Sequence, residues 1–431
     1  MKRALIFLAG ISSLATASTD YTADSRKLSA AALCGATNTT CQQAYISGAK
    51  DGTAAFKRVK TTYVAIRAAE VPPVPVPPPA PPPSPPPTPP PPPPEVIPTP
   101  GLASIPSNFD INTELKPSWG TGAIPASAKP DVVGAFRLIC AAAHLGYDDP
   151  IVYPGQPGKS HLHQFFGNDG VNAASDYTSL RTTGNSTCQS KLNRSGYWIP
   201  AMLNDKGQVI RPDYVSIYYK RKPKTDPSCN ANGQKGCVDL PRGLRFVFGF
   251  NMLNMAQAPT GSAYFNCQGP GITQGHYANL ALAQAKCPVG GQIGAIISAP
   301  SCWDGKNLDS ADHRSHVAYP PYPADVNSPC PATHPYVIPT FTLGAWYSQG
   351  PVLEPWHLSS DEMQGMTTTP GSTFHADWFG AWDDLVLAMW HVNCVDKLLN
   401  CSGGDLGNGL QLKGDPVFVA SPRVVPIPAR P

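Results

Sequence analysis

Charge is scarce in this sequence. Only 14% of its 431 residues are Asp, Glu, Lys or Arg, against about a quarter in an ordinary globular chain. The formal net charge is +3, and a positive head, Lys2 and Arg3, accounts for most of it. No basic stripe runs through the remainder, which excludes a nucleic-acid binder held by phosphate contacts. The one local basic run, YYKRKPK at 218–224, reads as a solvated strand end. Catalytic signatures are missing too. No CxxC pair, HExxH, GxSxG elbow, P-loop or helix-opening GxGxxG occurs. Zinc ribbons, thioredoxin sites, zincins, serine-triad hydrolases and nucleotide binders therefore lose their usual marks. Helical periodicity is rare, and no tandem repeat recurs at a fixed period. Beyond the N-terminus no apolar run is long enough to span a bilayer.

What is present points to export. MKRALIFLAGISSLATAS combines the positive head with an apolar run and a small-x-small site at Ala15–Ala17. It predicts a signal peptide over 1–17 and a secreted protein, whether extracellular, periplasmic or at the cell surface. Twelve cysteines, even in number and mostly widely spaced, suit disulfides in an oxidising compartment. Cys34–Cys41, Cys229–Cys237 and Cys394–Cys401 are close enough in sequence to pair locally; the other connections stay open. Residues 18–70 form a small N-terminal segment. Residues 71–104 are a proline-rich linker in which helix and sheet cannot form, because proline fixes φ and lacks the amide donor. At about 3.1 Å per residue, the stretch 71–100 reaches roughly 90 Å as a polyproline II rod.

Residues 105–431 are the main domain. Short β-rich runs recur there, among them YVSIYYK (214–220), GLRFVFGF (243–250), IGAIISA (293–299), HVAYP (316–320) and YVIPTFTLG (336–344). Gly, Pro, Asn and Asp separate them. The pattern predicts an all-β fold, a sandwich or jelly-roll-like, disulfide-stapled, with long loops and a few short helices. Helices are expected within 277–287 and 382–394.

All ten histidines lie in this domain. Three blocks concentrate acid–base groups beside aromatics. In SHLHQFF, His161 and His163 share one face if the chain is extended, a common start for a metal site that needs a third ligand from elsewhere. CWDGKNLDSADHRSHVAYP (302–320) holds Asp304, Asp312, His313, His316 and Tyr319, the side-chain types of general acid–base catalysis. STFHADWFGAWDD (372–384) holds His375 and Asp377 two apart. Asp383 and Asp384 read as helix caps.

DPIVYPGQPGKSHLHQFFGN, YWIPAM, CWDGKNLDSADHRSHVAYP, CPATHPYVIP and HADWFGAWDD, in that order, resemble a secreted family known as domain of unknown function nineteen-ninety-six. The resemblance covers roughly residues 130–400. His161, His163, Asp304, His313, His316, His375 and Asp377 carry it. The family occurs in fungi and bacteria, and fungal members often carry a WSC carbohydrate-binding module. It implies a fold unit and an extracellular setting, not a reaction.

These observations lead to an extracellular protein that acts on or binds polysaccharide, a cell-wall or environmental glycan. His163, His316, His375, His313, Asp304 and Asp377 would supply acid–base groups for glycoside hydrolysis or a lyase reaction. Trp303, Tyr319 and Trp378 would hold sugar rings. Two alternatives stay open. One is a non-catalytic lectin-like or structural module. The other is a protein that binds a divalent metal through His161 and His163.

Overall fold

The run YVSIYYKR shows how the fold is built. In the computed structural model, Tyr214–Arg221 alternates half-buried and buried positions throughout. Val215, Ile217 and Tyr219 therefore share an inward face. The structure describes residues 100–118, 126, 133–270, 272, 274–321, 328–350, 354–363 and 369–431, all within one compact unit, Pro93–Pro431. The expected signal peptide, the segment 18–70, the proline-rich run up to residue 99 and the Cys34–Cys41 pair lie outside the described residues. The last linker residues already lie on the folded unit, where the Leu102 N–H donates to the Arg242 carbonyl at 3.0 Å.

The two main sheets contain β1 (Gly134–Cys140), β2 (Leu145–Gly146), β3 (His163–Gly167), β4 (Gly196–Pro200), β5 (Tyr214–Arg221), β6 (Arg245–Gly249), β7 (Ala263–Gln268), β8 (Gln292–Ser298), β9 (Thr340–Ser348), β10 (His375–Phe379) and β11 (Asn400–Cys401). The six-stranded sheet runs β7-β8-β9-β5-β1-β11 and the five-stranded sheet β6-β10-β4-β3-β2. Neighbours are antiparallel except β1 and β11. The sheets pack face to face as a sandwich. Phe341 of β9 meets Tyr197 of β4, Phe246 of β6 and Trp378 of β10, with ring centroids 5.4–6.3 Å apart. The Tyr197 and Tyr219 hydroxyls join across the core at 2.6 Å. Such aromatic pairs are each worth about 0.5–1.5 kcal/mol beyond the area they bury.

The period of two then decides what the other face of the five-stranded sheet carries. With Phe166, Tyr197, Phe246 and Trp378 in the inter-sheet core, the residues between them point outward: His163, Phe165, Trp198, Val247, His375 and Asp377. That outer face is covered rather than solvated. Ile151, Val171, Tyr177 and Leu180 pack against Phe165, Trp198, Val247 and Phe379. The covering explains why β3, β4 and β10 are buried at every position, the polar His163, Gln164, His375 and Asp377 included.

Of the expected helices, Leu280–Lys286 and Asp384–Trp390 form, and the latter passes into a π turn at His391–Val395. Asp383 caps the latter, accepting from the Leu385 N–H at 3.1 Å, and pairs with buried Arg181 at 3.3 Å. A third helix, Tyr177–Thr182, lies on the outer face, and Asp176 and Ser179 form its capping box. Asp176→Ala should cost about 1 kcal/mol of stability, read as a lower urea midpoint at unchanged slope. Five disulfides tie the unit together. Cys229–Cys237 and Cys394–Cys401 are the local pairs, and Cys140–Cys188, Cys267–Cys287 and Cys302–Cys330 are longer links. The basic run at 218–224 is not a solvated end. Strand alternation turns Arg221 inward, where Asp239 and Asp396 meet it at 3.3 and 3.1 Å.

Candidate metal centre

His163 opens β3 opposite Pro200 of β4. Asp377 of β10 pairs with Trp198, so two residues further along the register His375 reaches the same row as Pro200. His163 and His375 thus flank β4 on the outer face, with ring centroids 6.2 Å apart. His161 precedes the strand, and its ring lies 4.1 Å from that of His163 and 5.1 Å from that of His375. On the far side of β10, Gly249 faces His375. It has φ +89°, and a Cβ there would stand 2.8 Å from the His375 Cα, so only glycine lets β6 approach so closely.

The hydrogen bonds fix the state of each ring. The Nδ1 of His163 lies 3.0 Å from the Asp148 carbonyl, and the Nδ1 of His375 lies 2.8 Å from the Thr373 carbonyl. A carbonyl only accepts, so both Nδ1 atoms carry the proton. The Ser359 hydroxyl donates its one hydrogen to the Leu162 carbonyl at 2.5 Å, so it accepts from His161 Nδ1 at 3.1 Å. All three Nε2 atoms are left with bare lone pairs, and these converge. His161 Nε2 and His375 Nε2 are 3.1 Å apart. The three ligand atoms lie within 4.8 Å of one another. Two nitrogens on one tetrahedral zinc stand about 3.3 Å apart at ordinary Zn–N lengths, so the observed spacing is that of a coordination edge. Carbonyl or hydroxyl partners on the remote ring nitrogens are the usual supports of metal-bound imidazole.

Two carboxylates complete the cluster. Asp149, His163 and Asp377 also place their ligand atoms within 4.8 Å of one another. Both acids are buried, at 4% and 1% exposure, as is His163 at 0%. Asp149 accepts from the Ile151 and Val152 N–H groups at 2.9 Å. Asp377 Oδ2 and His163 Nε2 have no hydrogen-bond partner among the described residues. Burial lowers the basicity of all three imidazoles, taking His161 to about 4; Arg430 pushes His161 the same way, and the neighbouring imidazoles do so for His163 and His375. Burial raises Asp149 to about 6, and burial together with Asp149 holds Asp377 well above the usual carboxylate range. Without a cation the cluster is thus neutral imidazole beside Asp377 held protonated against the pull of Arg314, with Asp149 titrating near 6.

The structure brings together His161, His163, His375 and Asp377 from the first and third sequence blocks. From the second block His313 and Arg314 lie near enough to act on Asp149, and on His375 and Asp377, through their charge, but none of its acids or imidazoles joins the ligand set. His316 bonds the Arg245 carbonyl at 2.9 Å and Ser310 Oγ at 2.8 Å, so both its nitrogens are engaged elsewhere. His313 pairs with Asp309 at 2.9 Å, and Asp304 accepts from the Lys306 and Asn307 N–H groups of its own turn. Trp378 and Trp303 are core residues, 1% and 5% exposed, so neither offers a free face to a sugar ring. The Tyr319 hydroxyl donates to the Ser298 carbonyl at 2.7 Å beside a separate cavity of about 580 Å³. Asp149 is the site residue that sequence reading missed. It stands in YDDPIVYP, twelve residues before His161, and no spacing rule links it to the histidines.

A family model described as a domain of unknown function, DUF1996, matches residues 149–382, more than half of the chain. That span contains all five clustered side chains. Comparison with curated proteins and with solved structures gives no match.

Proposed function

The chain belongs to the DUF1996 family, and from the cluster within the matched span we propose that its function rests on a divalent transition metal bound by the Nε2 atoms of His161, His163 and His375. The observation that carries this reading is the tautomer set: every ring is held with its proton outward and its lone pair toward a common point. Three neutral imidazoles suit zinc, copper, nickel or cobalt better than magnesium or calcium. They leave the ion's double positive charge uncompensated in a buried place, and Asp149 and Asp377 are positioned to offset it on losing their protons. A metal with three protein ligands and an open position supplies Lewis-acid chemistry and an activated water. The chain's own part is to hold the rings, exclude bulk water and accept the released protons.

The setting we propose is outside the cytoplasm, supported by the leader-like N-terminus and the five disulfides. A glycan substrate fits such a setting, but the buried tryptophans and the self-satisfied 302–320 loop lend it no support, so the metal comes first. Elemental analysis of the secreted full chain, after exposure to zinc and dialysis, should find about one metal per chain. His161→Ala/His163→Ala should carry none while keeping its circular dichroism spectrum. Wild-type protein that retains no zinc, cobalt or copper would sink the reading.

A further inference from the structure

The cluster comes nearest to solvent at His161, which is half-buried while the other four residues are buried. Ser160 and Gly158, just before it, are held by the C-terminal tail. Val424–Pro426 pairs with Gln208–Ile210, and the Tyr147 hydroxyl donates to the Pro428 carbonyl at 3.2 Å. The tail then sets the Arg430 guanidinium over the Tyr147 ring, 4.2 Å from its centroid. Arg430 Nη1 donates to the Gly158 and Ser160 carbonyls at 2.6 and 2.8 Å. Its Nε and Nη2 bond no described residue. Strand pairing, a hydroxyl and a ring face thus fix a cation at the lip of the site, with one edge of its donor fork unused. Among the described residues no carboxylate pairs with this guanidinium. A guanidinium in that state is a receptor for a planar or tetrahedral oxyanion.

We propose that Arg430 selects the exogenous ligand of the metal centre, and that this ligand carries an anionic oxygen group. The inference rests on the metal reading. Asp149 and Asp377 would meet the ion from the buried side, beneath the covering segment, and Arg430 would meet the anion at the entrance. A neutral ligand gains nothing from the guanidinium, whereas a carboxylate or phosphate gains a charge-assisted hydrogen bond in addition to its bond to the metal.

The test uses the full chain loaded with cobalt, whose visible absorption reports changes in coordination. Inorganic phosphate, acetate and the neutral ligand imidazole are titrated into wild type, Arg430→Gln and Tyr147→Phe. Arg430→Gln should weaken phosphate or acetate about tenfold, the size of one charge-assisted hydrogen bond. Cobalt and imidazole affinities should stay within twofold. Whichever of the two anions binds wild type more tightly gives the geometry of the preferred group. Tyr147→Phe, which removes the hydroxyl anchor and keeps the guanidinium, should behave as wild type. Unchanged anion binding in Arg430→Gln overturns the proposal, as does an equal loss for imidazole. An equal loss in Tyr147→Phe also overturns it, because tail order rather than charge would then be the cause. Wild-type protein that takes up no cobalt overturns the metal reading and this one together, whereas cobalt uptake with unselective ligand binding overturns this one alone.

Discussion

Zinc added to metal-free protein at a thousandfold excess over its dissociation constant is expected to stabilise the fold by about 4 kcal/mol. For a unit of this size that is roughly 5–10 °C in the thermal midpoint. His163→Ala should abolish the rise. The sign follows from linkage: the unfolded chain has no convergent Nε2 set, so binding energy is folding energy. The pH dependence follows the protons that the site must release. In the folded protein His161 titrates near 4, so down to about pH 5 the rings need lose no proton to take a metal. Asp149 titrates near 6, so below that pH the ion must displace a carboxylate proton. Asp377, held protonated by burial and by Asp149, must release its proton too, so zinc affinity should fall steadily as pH drops through neutrality and more steeply below about 6, where Asp149 adds a second proton. The metal-free protein has its own acid limit. Imidazoles lowered on folding contribute stability that is present above 6.5 and lost as pH falls toward 4, since the unfolded chain takes up protons that the folded one refuses. A zinc effect that is the same in His163→Ala would count against the centre.

The sandwich was legible because alternation in 214–220 and the apolar runs at 243–250, 293–299 and 336–344 are direct consequences of strand geometry. So were four of the five clustered residues. His161 with His163, and His375 with Asp377, are spaced by two, and a strand puts such pairs on one face. The same rule, carried one residue further, excludes Trp378 as a sugar platform, because it alternates with His375 and Asp377 and faces the inter-sheet core. The 302–320 block misled for a physical reason. Asp, Ser and His in a loop bond the nearest backbone and each other, as Asp304, Asp309 and Ser310 do here, so a dense polar stretch often serves its own turns. Asp149 was not legible, because only tertiary packing brings the stretch around Ile151 over β10. The carbonyls of Asp148 and Thr373, which set the tautomers, leave no mark in sequence, since any residue has a carbonyl. Thr373 in turn is held by Asp361, whose Oδ1 accepts from its hydroxyl at 2.6 Å.

Asp377→Asn should have opposite effects on the metal-free and the metal-bound protein. Without metal, Asp377 is a buried acid with an unpartnered oxygen. Its proton affinity is raised by burial and by Asp149. A group raised on folding contributes stability below its unfolded pKa and loses it as pH rises, because the unfolded chain releases a proton that the folded one retains. At neutral pH the native acid is therefore a burden, and its neutral isostere relieves it. The metal-free variant should be more stable than wild type at neutral pH, because the isostere removes the cost of keeping the acid protonated, less the attraction that Arg314 exerts on the carboxylate. Its midpoint should also fall less steeply as pH rises through 6. With metal the order reverses. The ion then lacks one of its two compensating carboxylates, and zinc affinity should drop about 10–100-fold. Chemical denaturation at pH 7, with chelator and with zinc, measures both effects on one pair of proteins. A structural acid would be missed in both states and a bystander in neither, so the reversal of sign belongs to a residue that is kept for the ion. If Asp377→Asn is destabilised without metal, or binds zinc as wild type does, the carboxylate has no part in the centre.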